Sequence, residues 1–123
     1  MVRLLNRRSR RVLVVDDNED AANLLGELAQ LRGHDVMIAH DGIQALELVA
    51  TFQPEVAVLD IGLPGMDGYQ LAAELRERVP DCRLIALTGY SQRKDRETAL
   101  DAGFSEHLVK PVKASDLLVL IAR

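Results

Sequence analysis

A chain of 123 residues is long enough for one domain with a single core. At 48% hydrophobic and 28% charged residues it has the composition of a globular protein, and no apolar run approaches the roughly 20 residues that cross a bilayer. The net charge of −4 hides an asymmetry: Arg3, Arg7, Arg8, Arg10 and Arg11 come before any acid, and Val12 onward carries −9.

Residues 1–10 therefore read as a basic tail or linker, with one domain over 11–123. The tail lacks the apolar centre of a signal peptide, and it is short for a nucleic-acid patch. "RVLVV" (11–15) is β-branched, apolar and brief, the pattern of a buried strand, and it runs into "DDNED". Leu24, Leu25, Leu28 and Leu31 repeat at helical spacing, with Gly33 as the stop. "DVMIA" (35–39) is the second strand. Ile43, Leu46, Val49 and Ala50 mark the second helix, which ends before Pro54. "EVAVLD" (55–60) is the third strand. Leu71, Ala72, Leu75 and Val79 mark the third helix, which ends before Pro80.

"CRLIALT" (82–88) is the fourth strand and opens on Cys82, the only cysteine. A lone cysteine excludes an intrachain disulfide and points to a reducing, cytoplasmic setting. Residues 91–102 read as a polar helix, "HLVK" (107–110) as the fifth strand, and Lys113 onward as the last helix. With 3% aromatics and no Trp, base stacking on single strands has no support, so no direct nucleic-acid binding is expected.

Five strands alternating with five helices predict a doubly wound parallel sheet covered on both faces. Parallel βα units point every strand's C-terminus to one rim, where ligands collect. Asp16 and Asp17 end the first strand, Asp60 the third, Thr88 the fourth and Lys110 the fifth. Three carboxylates in one cleft repel unless a cation or proton intervenes. Oxygen ligands without Cys or His select a hard cation, with Mg²⁺ the default. A carboxylate is also a nucleophile towards phosphorus. Lys110 supplies a second cation against phosphoryl oxygens and Thr88 a hydroxyl donor. Each piece has an ordinary reading as a loop, cap or strand end; the convergence of all of them makes the pattern specific.

In that order, "VLVVDDN", "VLDIGLPGMDGY", "ALTGY" and "HLVKP" resemble the receiver domain of two-component response regulators, over about residues 10–123. The resemblance implies a flavodoxin-like (βα)5 fold with strand order 2-1-3-4-5. It makes Asp60 the phosphoacceptor, Asp17 a direct metal ligand, Asp16 its partner and the Gly62 carbonyl a third protein ligand. Thr88 and Lys110 match the switch hydroxyl and the phosphoryl-binding lysine, and Lys110–Pro111 falls where the family has a cis peptide. Many receivers carry Tyr or Phe three residues before that lysine; His107 stands there, as in receivers attached to hybrid sensor histidine kinases. The implied donor is a histidine kinase or histidine phosphotransfer domain. The implied output is a changed surface on the fourth helix, fifth strand and fifth helix, and self-dephosphorylation is the only reaction expected of the domain itself.

Two other readings compete. A haloacid-dehalogenase-like phosphatase also uses Asp, Thr, Lys and Mg²⁺, but it needs a D-x-D after its first strand. A docking-only receiver would not need Asp17, Asp60 and Lys110 together. Neither G-x-x-x-x-G-K-[ST] nor G-x-G-x-x-G occurs, which leaves nucleotide binding without a motif. In the last helix, i, i+3, i+4 spacing turns Leu117, Leu120 and Ile121 inward, so Leu118 and Val119 are expected to face out as a partner or self-association surface.

Overall fold

The computed structural model describes residues 9–89 and 100–123. Five parallel strands form one sheet in the order β2-β1-β3-β4-β5. They are β1 (Arg11–Val15), β2 (Asp35–Ala39), β3 (Val56–Asp60), β4 (Arg83–Thr88) and β5 (Glu106–Val109). The described helices are α1 (Glu19–Leu31), α2 (Gly42–Phe52), α3 (Gly68–Arg78) and α4 (Ala114–Ala122), the last helix of the chain. Most of the predicted polar helix at 91–102 lies outside the described residues. The predicted strands are in place within a residue at each end; β5 runs one position early, so Lys110 follows the strand.

Alternation along the strands splits the core in two. Leu13, Val15, Ala57, Leu59, Leu84 and Ala86 face α2 and α3, meeting Ala45, Val49, Leu71 and Leu75. Val12, Val14, Val56, Val58, Ile85 and Leu87 face α1 and α4, meeting Ala22, Leu25, Ala29, Leu117 and Ile121. Every residue of β3 is buried, as expected of the central strand of a sheet with helices on both faces.

Three helix faces differ from the reading of the sequence. On α1 the buried stripe is Ala22, Leu25, Gly26 and Ala29, while Leu24 and Leu31 are exposed. On α2 it is Gly42, Ala45 and Val49, and Ile43 is exposed. Small residues let these helices sit close to the sheet: a Cβ on Gly26 would lie 2.7 Å from Ile38 Cδ1. Counting large aliphatics therefore picked a neighbouring stripe.

The third difference is in α4. Leu118, expected outside, is buried at 8% exposure, while Val119 is 58% exposed. At about 100° per residue, Leu117, Leu118, Leu120 and Ile121 cover an arc of about 160° and Val119 lies opposite. The helix packs on the sheet and beside α1, so it buries a broader stripe than one contact row. Its C-terminus is held by Arg83, which donates from Nη1 to the Leu120 carbonyl (3.0 Å) and from Nη2 to the Ile121 carbonyl (2.9 Å). These bonds satisfy acceptors that a helix end leaves open.

Candidate functional site

β1 and β3 are neighbours, with Val15 beside Leu59 in register. The residues that follow them therefore meet at the rim. Asp16, Asp17 and Asp60 each offer a carboxylate oxygen, and these oxygens lie within 4.8 Å of one another. Asp16 and Asp60 are buried and Asp17 is exposed. This is an all-oxygen donor set, open to solvent on the Asp17 side, and it fits a hard divalent cation that keeps part of its water shell.

Each buried carboxylate has defined partners. Asp16 Oδ1 accepts from the Asn18 N–H at 3.0 Å, and Asp60 Oδ1 from the Gly62 N–H at 3.0 Å. Lys110 Nζ donates to Asp60 Oδ2 at 3.0 Å and to Asp16 Oδ2 at 3.3 Å. Burial pushes the Asp16 carboxyl above its usual value, against the opposing pull of the Asn18 N–H and Lys110. Burial alone would lower the Lys110 ammonium, but the hydrogen bond and charge of Asp60, and then Asp16, raise it overall. Lys110 is thus held charged between two acids, one of them already biased towards its proton.

The loop after β3 shapes the acceptor side. Gly65 has φ +75°, a left-handed conformation that favours glycine. Gly68 is required by contact: a Cβ there would lie 2.6 Å from Ile61 Cα and 2.8 Å from the Asp60 carbonyl oxygen. Asp67 and Gln70 form a reciprocal capping box at the start of α3. The run "LPGMDG" therefore folds back tightly beside Asp60. Gly62 is different, since a Cβ there would meet Asp60 Oδ1 at an ordinary 3.7 Å. Gly62 reaches the site through its N–H.

Thr88 is buried at the end of β4, and its Oγ1 lies 2.9 Å from His107 Nε2. The Lys110–Pro111 peptide is cis. The structure therefore brings Asp16, Asp17, Asp60, Gly62 and Lys110 to one place, with Thr88 and His107 joined on the adjoining strands.

Sequence reasoning did not find the direct contact of Lys110 with Asp16, because strand-end positions give no side-chain direction. It also missed His34, which is buried and accepts from the Arg10 N–H through Nδ1 at 3.0 Å. Burial, followed by Arg10 and Arg32, lowers the pKa of that ring. Its bond lies across the start of β1 and β2, away from the carboxylates, and its role is to fix the chain there. Leu118 and Val119 are adjacent in α4, but only Val119 is presented outward.

The family model described as "Response regulator receiver domain" matches residues 12–122. The response regulator MprA of Mycobacterium ulcerans is 36% identical over 108 residues, covering 88% of this chain and 47% of the relative. The chain thus spans about half the length of the curated relatives it matches. The receiver domain of the Francisella response regulator 1452 superposes with a TM-score of 0.85 at 28% identity, over 91% of this chain and 93% of the other. A response regulator protein from Burkholderia pseudomallei, solved with a phosphorylated aspartic acid, a calcium ion and citrate, gives 0.84 at 32% identity, over 91% and 66%.

Proposed function

Because the chain belongs to the response regulator receiver domain family, the phosphoacceptor modules of two-component signalling, we propose that Asp60 is the residue that takes the phosphoryl group. The observation that carries this reading is the cluster itself: three carboxylates within 4.8 Å, with Lys110 Nζ 3.0 Å from Asp60. The donor is a phosphohistidine on a histidine kinase or histidine phosphotransfer domain. An Asp60 oxygen attacks phosphorus, the P–N bond breaks, and the donor imidazole leaves with the bonding pair and takes up a proton.

This chain's residues prepare that step. The Gly62 N–H holds Asp60 Oδ1, and Lys110 holds Oδ2 and sits where a phosphoryl oxygen's negative charge needs a cation. Asp17, Asp60 and Asp16, with the Gly62 carbonyl, would hold Mg²⁺, which supplies positive charge against the phosphoryl oxygens. Thr88 serves as the hydroxyl donor and, with His107, as the switch.

Val119 remains as an outward apolar residue of α4, and we assign it to partner contact or self-association; Leu118 leaves that surface because it is core. We assign residues 11–123 to the receiver, residues 1–10 to a basic tail, and the domain to the cytoplasm, whether it works alone or within a hybrid kinase. Among the described residues no helix is long and apolar enough to cross a membrane. The phosphatase reading gives way to the family match, and the joint presence of Asp17, Asp60 and Lys110 argues against a docking-only domain.

The test is phosphorylation by acetyl phosphate, and loading with beryllofluoride, in the presence of Mg²⁺. Asp60→Asn keeps the shape and removes the nucleophilic charge, so both are lost. Asp17→Asn weakens Mg²⁺ binding. Base-labile phosphorylation that persists in Asp60→Asn refutes the assignment.

A further inference from the structure

Val15 and Ala39 are the last paired residues of β1 and β2, and the Asp16 N–H adds one more bond, to the Ala39 carbonyl at 3.1 Å. Beyond that point a side chain takes over. His40 Nδ1 lies 3.1 Å from the Asp16 carbonyl oxygen. A carbonyl oxygen has no proton to give, so Nδ1 carries the proton and donates it. Among the described residues no backbone N–H bonds that carbonyl. The ring is itself held in place. The His40 N–H donates to Gln44 Oε1 at 2.9 Å and the Gln44 N–H to Asp41 Oδ1 at 2.8 Å, at the start of α2.

The Asp16 carbonyl, the Asp17 N–H and the Asp17 Cα share one peptide plane. Fixing the direction of the carbonyl therefore fixes where the Asp17 Cα sits and which way its side chain departs. Asp17 needs this more than the other two acids. The Asp16 and Asp60 carboxylates are held by Lys110 and by backbone N–H groups. Asp17 is exposed, and among the described residues no donor holds its carboxylate. Its oxygen nevertheless stands within 4.8 Å of the other two.

We propose that His40 is a positioning residue for the divalent cation: its Nδ1–H holds the Asp16 carbonyl and, through the shared peptide plane, keeps the Asp17 carboxylate turned towards those of Asp16 and Asp60. The inference rests on the reading of Asp17 as a metal ligand. Groups behind a ligand set its direction and so tune affinity for the ion. An aliphatic side chain at this place has no donor for the carbonyl.

The test begins with ring nitrogen spectra of the ¹⁵N-labelled chain at mildly alkaline pH, where a free imidazole is neutral. His40 should carry its proton on Nδ1. The chain has no Trp, so Mg²⁺ affinity is read from amide spectra titrated with the ion, well below the unfolding temperature. His40→Leu should bind Mg²⁺ about twofold to tenfold more weakly, the range expected for one hydrogen bond. His40→Asn carries an amide N–H on the same Cγ that bears Nδ1, so it should recover most of the loss. A bond that served stability alone would lower the unfolding midpoint in chelator and leave the Mg²⁺ affinity of the folded chain unchanged.

A bare Nδ1 overturns the proposal without any variant. So does His40→Leu binding Mg²⁺ as tightly as the parent, or His40→Asn binding at least twofold more weakly than the parent with no gain over His40→Leu. If His40→Leu does not fold, the ring spectra and His40→Asn decide by the same criteria, with His40→Asn expected within about twofold of the parent. If the unaltered chain binds no Mg²⁺, the metal reading of the three acids fails and takes this one with it. If it binds Mg²⁺ and the His40 results fail, only the role of His40 falls.

Discussion

Removing Lys110 isolates the electrostatics of the site. Lys110→Met keeps most of the side chain's length and deletes the charge that bonds Asp16 and Asp60. Those two carboxyls are buried, while the Lys110 side chain is 34% exposed. Breaking a fully buried pair costs about 3–5 kcal/mol and losing an exposed one about 1 kcal/mol or less. A partly exposed lysine between two buried acids falls between these limits, at about 2 kcal/mol. For a domain of this size that is roughly 6–10 °C in Tm.

The sign with pH follows from Asp16. Its folded-state pKa lies above the usual carboxylate value, and Lys110 is one of the influences that restrain it. Without Lys110 the carboxyl rises further, so the folded state binds a proton more readily than the unfolded one. Stability of the variant therefore increases as pH falls from neutrality through that raised value, and the gap to the parent chain narrows. Lys110 has the opposite window: its raised folded pKa gives stability that is complete below the ordinary lysine value and lost as pH rises through the folded one. Urea unfolding, measured across pH in chelator and again in Mg²⁺, reads all of this. Mg²⁺ at 100 times its Kd adds about 2.7 kcal/mol to a chain that binds it only when folded. Equal stability of variant and parent in chelator, or a gap that does not change with pH, would refute the reasoning.

Two further substitutions test the packing. Leu118→Ala should cost about 2–4 kcal/mol by opening a cavity between α4 and the sheet, whereas Val119→Ala should stay within about 0.5 kcal/mol; equal losses in urea unfolding would place the two residues in the same environment. Gly68→Ala should lose about 1–3 kcal/mol and weaken beryllofluoride binding, because its Cβ would displace the backbone of Asp60 and Ile61, while Gly62→Ala should be tolerated. A fully stable Gly68→Ala with unchanged loading would show that this close approach has no bearing on Asp60.

The strands were legible because a buried parallel strand is a short β-branched run between turn residues, and five such runs fixed the rim on which Asp16, Asp60 and Thr88 lie. The helices were legible as helices but not always as faces. Leu24 and Ile43 looked like core because they are large, yet α1 and α2 press Gly26 and Ala45 to the sheet. In α3, where Leu71 and Leu75 do fill the contact, periodicity found the correct face. Leu118 was misplaced for a related reason: a helix wedged between a sheet and a neighbouring helix buries two flanks, and spacing within one helix carries no record of its neighbours. The acids of the site were visible as types and positions. The fork of Lys110 between two of them, and the bond between Thr88 and His107, depend on directions that only the assembled strands define.

The Lys110–Asp16 contact joins positions 94 apart in the chain, and Lys110–Asp60 joins positions 50 apart. No short fragment contains the site, and no single βα unit does either. The lysine reaches its acids only after β1, β3, β4 and β5 have aligned side by side. Chemical competence therefore doubles as a certificate of correct assembly. A misregistered chain still carries every reactive residue, but it has nowhere to receive the signal. A population of such molecules would stay quiet instead of reporting falsely.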